Sequence, residues 1–275
     1  MNVAGGGLAI ALVMSGVISF SAWAATPPGT TKIRANAVTR ASGEDLYDMA
    51  NRYRDGRGVA MDKQKAFELY TQSANQGDGR SDYELARYYS GQTGDRLDLD
   101  SARRHLLKAA QSGYARAQTE LAFMYYNGTH GVSRDLNAAW VWFKKAAQQN
   151  VVVAQCMMGD FYRNAWGGAP QSHAFALKWY QLTADLKAPC ARKSQYELFV
   201  SYSAGLGVRK DVNKAVQWLK KAADSGSPQA QRALGLAYRA GDGVKQDSHL
   251  AHMWLKKSRE GVAPHDDHEH EDADH

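Results

Sequence analysis

Residues 202–238, YSAGLGVRKDVNKAVQWLKKAADSGSPQAQRALGLAY, decide the fold of this chain. A tyrosine followed by a Gly-x-Gly turn opens the stretch at Tyr202, and the same features start again at Tyr238. Between the two tyrosines the apolar spacing predicts a helix reading KAVQWLKKAA, a turn at Gly226–Pro228, and a second helix reading AQRALGLAY. The stretch is therefore one complete helical hairpin.

The same hairpin recurs along the chain. A tyrosine returns every 36 to 40 residues, at Tyr53, Tyr89, Tyr125, Tyr162, Tyr202 and Tyr238. A large apolar residue stands four positions before each tyrosine, at Met49, Leu85, Leu121, Met158, Leu198 and Leu234. A glycine follows five positions after it in five units, at Gly58, Gly94, Gly167, Gly207 and Gly243. A fixed period of this length is typical of stacked repeats, which we place at residues 43–261.

These spacings have physical reasons. Residues at positions −4 and 0 relative to the tyrosine lie one helical turn apart, so we expect both to face the core, with the small residue usual at −3. Glycine adopts the positive φ angles that end a helix at little cost. Four aspartates are predicted to cap the second helices, namely Asp62, Asp135, Asp211 and Asp247. Four tryptophans of those helices are predicted to be core residues, namely Trp142, Trp179, Trp218 and Trp254.

The pattern L-G-x-x-Y-x-x-G-x-G-V-x-x-D-x-x-K-A-x-x-W-x-x-K-A-A is similar to the Sel1-like repeat, a relative of the tetratricopeptide repeat. Residues 234–244 and 205–223 match it almost throughout. The second and fourth units are degenerate: the second lacks the valine and the tryptophan, and the fourth lacks the capping aspartate. The resemblance implies an all-α, right-handed α-solenoid of six helix-turn-helix repeats. It also implies a concave face, lined by the first helices, that binds a partner protein.

The two ends of the chain differ from the repeats. Residues 1–24 resemble a secretory signal peptide, with an apolar run before the small-x-small site Ala22-Trp23-Ala24, although no Lys or Arg precedes that run. The run is shorter than the ~20 residues of a membrane span, so we expect cleavage rather than an uncleaved anchor, and no stable membrane insertion afterwards. Residues 25–42 are predicted to be a flexible lead-in, and residues 262–275 a disordered acidic tail. The protein is therefore expected to be periplasmic or secreted.

Composition limits the functional classes. The chain is 44% hydrophobic and 23% charged, as is ordinary for a soluble globular protein. Without the last eleven residues, 34 basic and 22 acidic side chains remain, a net charge near +12. That charge is spread along the chain rather than clustered, so nucleic-acid binding is not expected. No catalytic motif is visible. The Gly-x-Gly turns follow helices rather than strands, which argues against nucleotide binding. We expect no enzymatic activity and no cofactor.

The first helices offer a candidate partner-binding surface. Positions −6, −2 and +1 relative to the tyrosine share a helix face other than the core face. This first-helix surface is rich in the tyrosine, phenylalanine and arginine residues favoured at interface hot spots. The candidate binding residues are Tyr47, Arg54, Tyr83, Arg87, Phe123, Tyr126, Arg163 and Arg239. The alternative is that the aromatic side chains at −6 pack on the neighbouring repeat.

Two further groups of residues carry possible chemistry. Cys156 and Cys190 lie near one repeat junction, and in an exported protein they are predicted to form a disulfide, with free thiols as the alternative. The tail contains His265, His268, His270 and His275 among acidic residues. Histidine and carboxylate are suitable ligands for zinc, nickel or copper, so weak metal binding is one interpretation of the tail. A solubilising end is the other.

The favoured function is a non-enzymatic scaffold that binds another protein of the cell envelope. Resemblance suggests a regulator of a sensor kinase, an assembly factor, or an immunity protein that neutralises an exported toxin. Metal binding through the tail is a second class of function. A third is β-lactam binding or hydrolysis, which the resemblance extends to some disulfide-rich relatives, but this chain lacks their repeated cysteines and any S-x-x-K element. The sequence leaves the oligomeric state open.

Overall fold

The computed structural model describes residues 43–92 and 97–260, which form six consecutive helical hairpins. The first helices are α1 (Gly43–Asp55), α3 (Gly79–Tyr89), α5 (Ala115–Asn127), α7 (Val152–Asn164), α9 (Ala191–Ala204) and α11 (Pro228–Ala240). The second helices are α2 (Lys63–Asn75), α4 (Leu99–Gln111), α6 (Leu136–Gln148), α8 (His173–Thr183), α10 (Val212–Asp224) and α12 (Ser248–Glu260). Each helix packs on its neighbours in the chain, so the all-α solenoid prediction is confirmed.

Other predictions fall outside the described residues. The signal peptide at 1–24, the lead-in at 25–42 and the tail at 262–275 remain predictions from sequence. Within the described residues, none of the helices combines the length and the apolar character needed to cross a membrane.

Every hairpin is closed by the same backbone hydrogen bond. The aligned tyrosine's carbonyl accepts from the N–H of the residue that caps the second helix, at 2.8 to 2.9 Å in all six units. The donors are Asp62, Asp98, Asp135, Ser172, Asp211 and Asp247. Their side chains also accept backbone N–H bonds from the first turn of the helix. Ser172 thus caps the second helix of the degenerate fourth unit, as aspartate does in the other units. Asp98 caps the second helix of the degenerate second unit.

The second glycine of a turn lies against the preceding repeat. Gly207 has a φ of +71°, and a Cβ atom there would lie 2.4 Å from the carbonyl carbon of His173 and 2.5 Å from the amide nitrogen of Ala174. Both atoms belong to the start of α8 in repeat four. Glycine is therefore required at this position for two reasons, its backbone conformation and the close approach of two repeats.

The residue at position −4 packs on the second helix of the preceding hairpin. Leu121 clusters with Leu106 and Ala109 of α4, and Leu234 clusters with Leu219 of α10. The core prediction holds for five of the six units, and it is wrong for Met49, which is 43% exposed. The reason is positional, because the described residues contain no second helix before α1 that could cover it.

Close packing within a hairpin depends on the small residue at −3. A Cβ atom on Gly159 would lie 2.3 Å from the ring of Tyr180, the largest fully buried side chain in the described residues. The four tryptophans contact the core clusters but stay half-buried. Lysine ammonium groups lie 4.2 to 5.0 Å from the ring centroids of three of them, Trp142, Trp218 and Trp254. Their outer faces are therefore covered by lysines rather than by apolar residues.

A buried glutamine joins successive hairpins. This glutamine lies seven residues before the aligned tyrosine. Its side-chain amide donates to a carbonyl at the end of the preceding second helix. The donors are Gln118, Gln155, Gln195 and Gln231, and the acceptors are the carbonyls of Ala110, Ala147, Ala184 and Ala223, at 2.7 to 3.4 Å. These bonds satisfy carbonyls that a helix end would otherwise leave unpaired in the interior.

Candidate protein-binding surface

The structure places most of the first-helix surface between repeats rather than on an open face. Of the eight candidate binding residues, seven are half-buried and Arg239 alone is exposed. Five of the half-buried side chains contact the next repeat, namely Tyr47, Arg54, Tyr83, Tyr126 and Arg163, so their burial comes in part from the stacking of hairpins.

The junction of repeats one and two contains a polar network. The Tyr70 hydroxyl donates to the Asn51 side-chain oxygen at 2.7 Å, and the Arg54 guanidinium donates to the Tyr70 hydroxyl at 3.1 Å. Arg54 and Arg87 both pair with the buried carboxylate of Glu84, at 3.4 and 3.3 Å. Arg54 and Arg87 therefore neutralise a carboxylate that would be costly to bury alone.

The junction of repeats four and five repeats this network at corresponding positions. The Tyr180 hydroxyl donates to Asp160 Oδ1 at 3.0 Å, and Lys193 pairs with the other oxygen of that carboxylate. Arg163 pairs with Glu197, as Arg54 pairs with Glu84. Burial raises the pKa of Glu197, and the Arg163 charge opposes that rise. Arg163 thus acts first as a partner for Glu197 inside the array.

Between repeats three and four, aromatic rings replace the network. Phe123 packs edge-on against Phe143 of its own hairpin with 4.9 Å between ring centroids. Tyr126 crosses the junction, 5.9 Å from Trp166 and 6.2 Å from Phe161. Both candidates join the largest core cluster as half-buried residues. Much of their apolar surface is therefore already used in packing.

The aromatic residues at position −6 also contact the next repeat. The Arg80 guanidinium lies 4.3 Å from the ring centroid of Tyr47, and Tyr83 packs edge-on against Tyr114 at 5.2 Å. These contacts agree with the alternative interpretation, in which the −6 aromatics pack on the neighbouring repeat. Whether any of the eight candidates contacts a partner stays a prediction.

The structure joins Cys156 and Cys190 in a disulfide, with a Cα–Cα distance of 6.4 Å. Cys156 is buried in α7, and Cys190 is the N-cap residue of α9. Ser194 lies beside the bond, with its hydroxyl 3.7 Å from Cys156 Sγ and 2.7 Å from the Thr183 hydroxyl. The covalent link therefore spans the junction that also carries the Asp160 and Glu197 ion pairs.

A pocket of about 400 Å³ opens at the junction of repeats five and six. It is lined on the α9 side by Phe199 and Ser203, on the α10 side by Leu219, and on the α11 side by Ala233 and Leu236. Corresponding residues line pockets at the first and second junctions, but these measure about 50 and 20 Å³. Among the first, second and fifth junctions, the cleft is therefore widest at the fifth.

The predicted metal ligands lie outside the described residues, because His265, His268, His270 and His275 all belong to the tail. Among residues 43–92 and 97–260, no three His, Cys, Asp or Glu side chains are grouped closely enough to hold a metal ion. The metal hypothesis thus depends on the tail.

The buried tyrosines predict sensitivity to alkali. Burial raises the pKa of Tyr70 and Tyr180, and burial together with nearby Glu120 raises that of Tyr83 to about 12. A raised folded-state pKa gives stability that is complete below the unfolded value of about 10 and is lost as pH rises through the folded value. We expect the free energy of unfolding to fall above pH ~10, measured by urea titration across that range. Tyr83→Phe should flatten the slope between pH ~10 and ~12, and an unchanged slope would contradict this assignment.

Comparison with known proteins agrees with the geometry. The model of the Sel1 repeat matches six segments, residues 44–78, 80–114, 115–151, 152–187, 192–227 and 228–261. Each segment spans one first helix and one second helix, and the first, second and fifth segments begin one residue inside α1, α3 and α9. Sel1 repeat proteins mediate protein–protein interactions. No curated protein matches the chain.

Solved structures show the same fold. The chain is 26% identical to a protective antigen of uropathogenic Escherichia coli with an SLR fold, at a TM-score of 0.65, and the match covers 79% of this chain and 46% of that one. It thus spans less than half of that antigen. It is also 26% identical to a Sel1 repeat protein from Oxalobacter formigenes, at a TM-score of 0.59, covering 80% and 89% of the two chains. With six matched repeats over most of its length, the chain belongs to the Sel1 repeat family.

Proposed function

We propose that this protein is a non-enzymatic scaffold of the cell envelope, periplasmic or secreted, that binds a partner protein through its first-helix surface. The observation that carries the proposal is the stacked array of Sel1 hairpins, in which a cleft of about 400 Å³ opens among first-helix residues at the fifth junction. A row of rigid helices offers a preformed surface, so binding need not order a loop. An adaptor or a regulator would both use such a surface.

The distribution of ionisable groups supports a binding role over an enzymatic one. Burial raises the pKa of Tyr180 and of Glu197; Tyr180 donates to Asp160 inside repeat four, and Glu197 pairs with Arg163 across the junction of repeats four and five. The 400 Å³ pocket is lined mainly by alanine, valine and leucine, with Lys210 and Asp242 as its ionisable residues. Tyr180 and Glu197 therefore lie apart from the 400 Å³ pocket, whereas an active site brings ionisable groups with shifted pKa values into a cavity.

The immunity role is a narrower version of the same proposal. The chain is similar to an immunity protein from Pseudomonas aeruginosa at 15% identity and a TM-score of 0.41, covering 80% and 86% of the two chains. A likeness at that level carries no argument about function. The general scaffold is therefore the proposal to test first.

Site-specific photocrosslinking in cells tests the proposal. A photoreactive residue at Arg87 or Arg239 reports on the first-helix surface, and one at the exposed Arg104 or Gln217 reports on the outer side of the second helices. We expect a discrete adduct with another envelope protein from the first pair only. Adducts from the second pair only would place the partner on the second helices and contradict the proposed surface. No adduct from any position would count against a scaffold.

A further inference from the structure

The wide cleft at the fifth junction corresponds to a space that other junctions fill with a ring. The relevant position lies four residues after the recurring alanine of the second helix. Across the first five repeats it holds Tyr70, Leu106, Phe143, Tyr180 and Leu219. Three junctions thus place an aromatic ring there, and the hairpin backbone accommodates a ring at this point.

A leucine at that position is not enough to open the cleft. At the second junction Leu106 is present, yet the pocket measures only about 20 Å³ because Glu120 and Met124 of the next repeat close it. At the fifth junction the residues corresponding to Glu120 and Met124 are Ala233 and Ala237. The fifth junction therefore combines a leucine in place of a ring, Leu219, with two alanines, Ala233 and Ala237. Together they leave a pocket of about 400 Å³.

The rim of this cleft is basic. Arg232, Leu236 and Arg239 lie at i, i+4 and i+7 on α11, so the two arginines flank an apolar residue that lines the pocket. Both arginines are exposed, as is Lys210 on the opposite wall. Within the described part of the chain none of these three cations makes an ion pair, and Asp242 is the one acid that lines the pocket.

We propose that the cleft between repeats five and six accepts an aromatic side chain from a partner protein, in a segment that carries acidic residues beside that aromatic. This inference rests on the proposed scaffold function and names the partner's chemistry. Buried aromatic side chains remove ~150–250 Å² from water and dominate interface energetics. The volume falls within the range of about 300–1,000 Å³ usual for ligand pockets. Arg232 and Arg239 supply the charge complementarity that selects an acidic segment.

A peptide titration tests the chemistry directly. The probe is acetyl-Asp-Asp-Trp-Asp-Asp-amide added to the full-length chain, observed through the methyl NMR signals of Val216, Leu219 and Leu236. We expect saturable shifts confined to these methyls. Replacing the tryptophan by alanine, or the four aspartates by lysines, should weaken binding at least about tenfold, or 1.4 kcal/mol. Shifts spread over other repeats, or equal binding of the lysine peptide, would overturn the proposal.

Variants that fill the cleft provide the matched control. Leu219→Tyr restores the ring that Tyr70 and Tyr180 place in their own junctions, and Ala237→Met reproduces the Met124 arrangement. Each should keep its helical circular dichroism and lose peptide binding. If Leu219→Tyr fails to fold, Ala237→Met decides. Unchanged peptide binding in a folded filled variant would refute the assignment of the pocket.

The same variants separate this inference from the proposed function. A partner cross-linked from Arg239 should be lost in Leu219→Tyr. If it is retained, the cleft is not the binding site while the scaffold function stands. If the native chain yields no adduct at all, the scaffold proposal fails, and the peptide titration still decides whether the cleft takes an acidic aromatic segment.

Discussion

Gly207→Ala is expected to destabilise the protein by about 3–5 kcal/mol, among the largest effects of any single substitution. An alanine at a φ of +71° costs ~1–2 kcal/mol in any protein. The larger part comes from the backbone of His173 and Ala174, which the new methyl group would meet at 2.4 to 2.5 Å. Since those atoms begin α8, they can move only if repeats four and five separate. Urea unfolding followed by circular dichroism measures the loss.

Gly226→Ala is the matched control. Gly226 also has a positive φ, +82°, but a Cβ atom there would meet nothing within 4 Å. We expect this substitution to cost only the conformational ~1–2 kcal/mol. The difference between the two variants isolates the contact between repeats. Equal losses of stability would show that the close contact between Gly207 and the preceding hairpin does not contribute to the effect.

Reduction of the Cys156–Cys190 bond is expected to cost about 3–4 kcal/mol, because the bond closes a loop with a sequence separation of 34 residues. The effect should concentrate at the junction of repeats four and five. Because a repeat array is stabilised by neighbouring interfaces, hydrogen exchange of α7 to α9 should accelerate before that of α1 to α4.

The double variant Cys156→Ala with Cys190→Ala separates the bond from side effects of the reductant. It should resemble the reduced native protein in urea, and adding reductant should change it no further. If reductant lowers the stability of the double variant as well, the loss cannot be assigned to the disulfide. If the oxidised and reduced native proteins unfold alike, the bond does not stabilise the junction.

Local rules of helix chemistry were sufficient to predict the hairpins. A capping side chain, a glycine turn and an apolar residue one turn from a tyrosine all act within one repeat, so they can be read from a short stretch such as 202–238. Ser172 shows the limit of a motif defined by residue type, because a hydroxyl caps α8 in the unit that lacks the capping aspartate. Met49 shows the limit of a motif defined by position, because burial requires a preceding helix.

The candidate surface was harder to predict because its contacts cross from one repeat to the next. Helical periodicity places Arg163 on a face, but it says nothing about Glu197, which lies 34 residues later and pairs with it. The cleft at the fifth junction is harder still. It results from three separate positions, Leu219, Ala233 and Ala237, each of which is an unremarkable apolar residue when taken alone.

The glutamine bonds between hairpins have a consequence for how such chains change in length. At four junctions one glutamine amide bonds to the same carbonyl position of the preceding helix, so the hairpins that meet at these junctions carry matching donors and acceptors. A duplicated or deleted unit would meet compatible ends on both sides without further substitutions. Genetic gain or loss of a whole hairpin would then shift the wide cleft along the array while leaving its walls intact.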